Sequence, residues 1–214
     1  MAMTDTPANS TVTRPRLAPI GRESLNLPNA ITASRLLLAI ILFVLIYLEA
    51  WWLTAAGLFV LAAGTDFLDG YLARKYGQVT TLGRILDPFV DKIIVCGAFI
   101  FLLEKNAKFD SGVNSWMVII VVGREMFITS LRGFLEQQGI DFSANWAGKI
   151  KMVLQCVAVT GALLSLSPSF QNDIFFLTRD IVLWAAVAAT IWSGVTYVIR
   201  AAQMIRHDAQ ADAE

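Results

Sequence analysis

The feature that most constrains this chain is a series of apolar runs, each close to the roughly 20 residues a helix needs to cross a bilayer. They cover residues 30–48, 51–73, 86–103, 115–135, 149–166 and 178–201. Composition agrees: 56% of the 214 residues are hydrophobic, mean hydropathy is +0.60 and only 16% are charged. An ordinary soluble domain carries about 25% charged residues, so a soluble helical protein is a poor fit. The predicted fold is therefore all-α, a polytopic membrane protein with six transmembrane helices joined by short loops into a compact bundle. Residues 1–24 are polar and lack apolar periodicity. They are expected to form a disordered cytoplasmic arm, not a signal peptide, because they contain no apolar run of their own. The transmembrane domain is expected over 25–203, with a cytoplasmic tail over 204–214 that is disordered beyond Arg206.

Basic residues set the orientation. With the N-terminus in the cytoplasm, only Lys105, Lys108 and Arg179 of the 17 Lys and Arg fall on the outer side, and Arg124 falls within the fourth span. The positive-inside rule then puts both termini in the cytoplasm. Net charge is zero, which gives no basic excess for nucleic acid. Cys96 and Cys156 stand alone in apolar stretches and read as small buried hydrophobes.

Against this background four aspartates are out of place. Asp66 and Asp69 lie near the end of the second run, and Asp87 and Asp91 near the start of the third. A carboxylate in hydrocarbon costs about 2.5–3.5 kcal/mol on insertion scales, and four together also repel. Three-residue and four-residue spacings put each pair on one helix face. Opposite helix directions bring both pairs to one membrane level. An all-oxygen cluster suits hard cations such as Mg2+ or Mn2+ and lacks the thiols and imidazoles of a zinc site. Two such cations could clamp the attacking and leaving oxygens of a displacement at phosphorus. The small residues Gly70, Ala73 and Gly83 would let a bulky ligand approach the backbone. The competing reading is a set of helix-end carboxylates paired with Arg74, Lys75, Arg84 and Lys92.

The same residues carry a resemblance. Asp66, Asp69, Gly70, Ala73 and Arg74, then eight residues, then Gly83, Asp87 and Asp91 fill every fixed position of D-x-x-D-G-x-x-A-R…G-x-x-x-D-x-x-x-D. This pattern resembles the signature of the CDP-alcohol phosphotransferase family. The resemblance implies a dimeric six-helix membrane fold in the inner (cytoplasmic) membrane, with its site on the cytoplasmic side and two divalent cations bound. It also implies that Asp66, Asp69, Asp87 and Asp91 ligate the metals, with Asp91 also the general base. Asp66, Asp69, Gly70, Ala73, Arg74 and Gly83 become the CDP-binding positions. Pro88 interrupts the helix picture, because it removes a backbone donor between Asp87 and Asp91. Either the third helix begins near Gly83, with Pro88 in or just after its first turn, or it kinks there.

The acceptor must be read elsewhere. Asn26, Pro28, Asn29, Thr32 and Arg35 resemble the opening of the first span in phosphatidylglycerophosphate synthases and cardiolipin synthases. Arg124, Glu125 and Arg132, followed by Gly148, Lys149, Lys151 and Gln155, resemble segments of phosphatidylglycerophosphate synthases, with Met152 where a Thr is usual. Arg124 is a cation inside a span and so a functional candidate, while Glu125 could partner a neighbouring base. Arg132 lies eight residues on, about 80° round the helix. Arg124, Arg132 and Lys149 together suit an acceptor that carries its own phosphate. Lys151 is expected only to mark the cytoplasmic edge. The resemblance thus implies transfer of a phosphatidyl group from CDP-diacylglycerol to glycerol 3-phosphate, with release of CMP. The alternatives are a sibling enzyme using phosphatidylglycerol, serine or inositol phosphate, a membrane prenyltransferase, and a cation transporter. A transporter of this kind often has an inverted repeat, which this sequence lacks.

Overall fold

A computed structural model describes the backbone of residues 27–49, 51–76, 81–138 and 146–211, and the side chains of 32–49, 51–65, 89–138 and 146–206. The expected arm over 1–24 lies outside the described residues. Six α-helices follow in order: α1 (Leu27–Tyr47), α2 (Trp52–Tyr76), α3 (Thr81–Phe109), α4 (Ser115–Gln137), α5 (Trp146–Ser165) and α6 (Asp173–Ala211). A 3-10 turn at Pro168–Phe170 lies between α5 and α6. No strand occurs among the described residues, so the all-α expectation holds.

Each helix buries one stripe at helical spacing. In α1 the stripe is Thr32, Arg35, Ala39, Leu42 and Ile46; in α2 it is Trp52, Ala55, Ala56, Phe59 and Ala62. Side chains three and four apart stack on one helical face, which is why these residues meet the neighbouring helices together. Most of the stripes fuse into an apolar core that reaches from α1 to α6, and Ile128, Leu135, Tyr197 and Ala201 form a smaller cluster between α4 and α6. The stripes also carry the polar residues Arg35, Glu125, Lys151, Gln155, Arg179, Thr190 and Ser193 inward, while Leu37, Ile40, Leu61, Ile119, Val153 and Ile199 face outward.

Long-range bonds fix the topology. Arg35, early in α1, donates to Asp91, early in α3. Glu49, just past α1, accepts from Lys105 at 3.2 Å and also from Lys108, both near the end of α3. Helices α1 and α3 therefore run parallel. Trp52 at the start of α2 packs edge-on to Phe109 at the end of α3, with ring centroids 5.5 Å apart, so α2 runs the other way. The tight reversal between α1 and α2 uses left-handed backbone at Glu49 (φ 56°) and Trp51 (φ 65°). The hydrogen bond from Lys108 holds the Glu49 carboxyl below its ordinary pKa. A second tie at this end centres on Arg179 of α6, which donates to the Asp110 carbonyl, to Ser165 Oγ at 3.3 Å and to Asp180 at 2.9 Å. The starts of α1, α3 and α5 and the ends of α2, α4 and α6 thus share the opposite end of the bundle.

Two helices among the described residues are long and apolar enough to cross a membrane: Trp146–Ser165, with mean hydropathy 1.4, and Asp173–Arg206, with 1.8. In α1 and α2 the stretches with described side chains, 32–47 and 52–65, are apolar too but shorter than that length. Fewer helices pass than the six runs expected from sequence. Helix α4 carries Arg124, Glu125 and Arg132, and α3 carries Asp91, Lys92, Glu104, Lys105 and Lys108, charges that depress their hydropathy. The end of α6 also differs from expectation. It continues to Ala211, so helix occupies most of the tail expected to be disordered. Ala, Gln, Met and Arg dominate residues 200–211 and are good helix formers.

Candidate active site

The signature aspartates sit on two helices that pack against each other. Asp66 and Asp69 fall in the last three turns of α2, and Asp87 and Asp91 near the start of α3. The backbone brings all four to the same end of the bundle. Helix α3 begins at Thr81, near Gly83 as one of the two expectations had it, and runs without a break to Phe109, so Pro88 is its eighth residue, at the end of its second turn rather than in or just after its first. The ring removes one backbone bond, to the Arg84 carbonyl, without ending the helix. The side chains of Asp66, Asp69, Gly70, Ala73, Arg74, Gly83 and Asp87 lie outside the described residues.

Asp91 is described in full. Its side chain is 26% exposed, and its Oδ1 accepts a hydrogen bond from the Arg35 guanidinium, which is 2% exposed. A charge-assisted bond from a buried arginine fixes the carboxylate and offsets the cost of placing it between helices. Among the described side chains no three His, Cys, Asp or Glu gather into a metal-binding group. The donor chemistry of the signature nevertheless fits hard divalent cations: two carboxylates on each of two packed helices, with Asp91 partly open and its charge balanced by a guanidinium.

A second polar cluster occupies the same half of the bundle, between α4, α5 and α6. Glu125 is buried and accepts from Arg124 at 3.0 Å and from Lys151. Arg124 also donates to Ser193 Oγ on α6 at 2.6 Å. One turn further along α5, Gln155 donates to Thr190 Oγ1 at 2.9 Å. Arg132 of α4 lies toward the end of the bundle, where its guanidinium carbon is 5.9 Å from the Tyr197 ring centroid and its Nη2 donates to Tyr197 Oη at 3.3 Å. Lys149 is exposed at the start of α5, its Nζ 4.9 Å from the Trp146 ring centroid.

The sequence profile of the CDP-alcohol phosphatidyltransferase family matches residues 25–192. The chain belongs to this family. It is 38% identical over 186 residues to the CDP-diacylglycerol–glycerol-3-phosphate 3-phosphatidyltransferase of Bacillus subtilis (strain 168), covering 80% of this chain and 93% of the relative. Identity to the protein of the same name from Rickettsia bellii (strain RML369-C) is 35%, covering 80% and 93%. For that of Pseudomonas fluorescens it is 32%, covering 88% and 96%.

For a member of this family, the three basic residues expected at the acceptor occupy unlike places. Arg132 and Lys149 stand at the signature end, Arg132 partly and Lys149 largely exposed, whereas Arg124 is committed to Glu125 and Ser193. Lys151 corrects its expectation: it is 6% exposed and ion-paired to Glu125, because the α5 stripe Ala147, Lys151, Gln155, Ala158 faces the core. Glu125 is the structural partner that its neighbours in sequence suggested. From sequence Arg35 is only one position of the first-span motif, with no role of its own, and Tyr197 is not singled out. A cation one turn into an apolar run was the available signal for Arg35. For Tyr197 there was none, because its partners are 65 residues distant in the chain.

Proposed function

We propose that this protein transfers the phosphatidyl group of CDP-diacylglycerol to the 1-hydroxyl of glycerol 3-phosphate, giving phosphatidylglycerol phosphate and CMP. The observation that carries this reading is the near-complete coverage of relatives that bear that reaction's name. The shared bundle end of the signature aspartates with Arg132 and Lys149 supports it.

Asp66, Asp69, Asp87 and Asp91 would hold two divalent cations, Mg2+ or Mn2+. When bound, these supply charge neutralisation to the diphosphate of the donor and to the departing CMP. Gly70, Ala73, Arg74 and Gly83, with Asp66 and Asp69, bind the CDP moiety. Asp91 accepts the proton of the acceptor hydroxyl, and Arg35 keeps its carboxylate oriented. The acceptor oxygen bonds to the phosphorus that carries diacylglycerol, the bond from that phosphorus to CMP breaks, and CMP leaves with the electron pair. Arg132 and Lys149 bind the acceptor's phosphate, Arg132 as a fork and Lys149 as a point charge. Arg124 contributes through Glu125 and Ser193. Such chemistry is mainly positioning and electrostatics, so each residue acts through where it is held.

All six helices span the inner membrane in this reading, with both termini and the site in the cytoplasm. The surface supports it: large apolar side chains face outward while Arg35, Glu125 and Lys151 face inward. Trp51 (73% exposed) and Trp116 (71%) mark one end and Trp146 (74%) the other, as aromatic belts would. The 20 residues of α5 rise about 30 Å, the thickness of a hydrocarbon core. A homodimer belongs to the same proposal and is checked by crosslinking in native membranes.

The test offers radiolabelled CDP-diacylglycerol to the purified protein with glycerol 3-phosphate, phosphatidylglycerol, serine or inositol phosphate in turn. CMP and phosphatidylglycerol phosphate form with glycerol 3-phosphate and Mg2+ or Mn2+. Turnover with another acceptor only, or none after metal is added, overturns the assignment.

A further inference from the structure

Two arginines and a glycine at the signature end meet on one side chain that the mechanism above does not use. Tyr197 of α6 is 2% exposed. The Arg124 guanidinium carbon lies 5.5 Å from its ring centroid and that of Arg132 5.9 Å, so two arginines of α4 face one ring. Arg132 Nη2 also donates to Tyr197 Oη at 3.3 Å. From α5 the backbone closes in at Gly148, where an added Cβ would lie 3.3 Å from Tyr197 Oη and 3.6 Å from its Cε2. Gly148 directly precedes Lys149, so the same ring sets the approach of the strand of chain that carries the second phosphate-binding candidate.

We propose that Tyr197 is a positioning residue for the acceptor's phosphate, holding Arg132 and the start of α5 in register. The inference rests on the glycerol 3-phosphate reading above. A tyrosine suits this place for two reasons. Its face attracts a guanidinium without needing water, and its hydroxyl oxygen accepts a hydrogen bond from one of the guanidinium's N–H groups. Arg132 is then prevented from swinging out to solvent. Smallness at residue 148 lets Tyr197 reach across to α5, which links the geometry of the two basic residues.

Steady-state kinetics of the full-length protein in mixed micelles test this, with glycerol 3-phosphate and CDP-diacylglycerol varied separately. Tyr197→Phe keeps the ring and removes only Oη. It should raise the Michaelis constant for glycerol 3-phosphate about 3–10-fold, as loss of one hydrogen bond does, and leave kcat and the donor's constant within about twofold. Tyr197→Leu, which also removes the ring, should raise it further. Because Tyr197 acts through Arg132, adding Tyr197→Phe to Arg132→Ala should add little. An unchanged acceptor constant in both Tyr197 variants overturns the proposal. So does a fall in kcat alone, or fully multiplicative effects with Arg132→Ala. Thermal unfolding of Tyr197→Phe identifies a loss of fold, which would also overturn it. Wild-type protein inactive with glycerol 3-phosphate defeats the acceptor reading itself, and the inference with it.

Discussion

Replacing Glu125 by Ala tests whether the buried ionic cluster holds the bundle together. The carboxylate is 9% exposed and compensates two cations, Arg124 at 3.0 Å and the 6%-exposed Lys151. Removing it leaves both positive charges between helices, with Ser193 the remaining described hydrogen-bond partner of Arg124. Breaking a buried pair from one side costs about 3–5 kcal/mol, because the stranded charge keeps its desolvation penalty. Two stranded cations place Glu125→Ala at the upper end of that range. Lys151→Met is the control. It deletes one cation, leaves the Arg124–Glu125 pair intact and fills similar volume with an apolar chain, so it should cost about 1–2 kcal/mol or less. Reversible unfolding in mixed micelles, followed by tryptophan fluorescence, measures both. Little response to salt is also expected, since buried pairs are weakly screened. The reasoning is refuted if Glu125→Ala unfolds within about 1 kcal/mol of wild type, or if Lys151→Met costs more than Glu125→Ala.

Asp91→Asn should lose turnover with the fold retained, measured as CMP release beside a melting curve that stays cooperative but shifts down, because the buried Arg35 loses its counter-charge; near-wild-type turnover would rule out the base role. Arg132→Ala and Lys149→Ala should mainly raise the Michaelis constant for glycerol 3-phosphate, and an unchanged constant in initial-rate assays would remove that residue from the acceptor site. Gly112→Ala should destabilise by about 1–3 kcal/mol in the same unfolding assay, because Gly112 has φ +76° and a Cβ there would lie 2.6 Å from Arg179 Nε. Wild-type stability in that variant would mean that the turn after α3 does not depend on the Arg179 tie.

Where sequence periodicity located a helix, the core stripes agree, since the same 3.6-residue repeat governs both burial and spacing. It located helix ends less well. Helix α6 starts at Asp173, not near 178, because Asn172 accepts a hydrogen bond from the Phe175 backbone N–H at 2.8 Å and caps a turn that precedes the apolar run. Apolar runs mark what suits a bilayer, whereas helices continue as long as caps and propensity allow. Lys151 shows a different failure. Its spacing from Ala147 and Gln155 puts it on the buried stripe, but in sequence a lysine at the start of an apolar run reads equally as a marker of the cytoplasmic edge. The pairing of Arg35 with Asp91 spans 56 residues of chain, a distance over which neither pattern nor spacing carries information.

The two ends of the bundle hold their charges differently, and this bears on catalysis. At the far end Arg179 satisfies itself on a backbone carbonyl, a serine and two aspartates, while Lys105 and Lys108 share Glu49. Those partners lie in turns and helix ends that no proposed step disturbs. At the signature end the described contacts are of other kinds. Arg35 meets Asp91, and Arg132 rests on a phenol. A phosphate competes poorly for an arginine already held by carboxylates, but well for one held by a ring face and a neutral hydroxyl. The Glu125 cluster, one turn deeper, keeps Arg124 in the former class. On the proposed function, Arg124 and Arg179 therefore brace the helices, while Arg132, held by a ring and a neutral hydroxyl, belongs with the acceptor's phosphate.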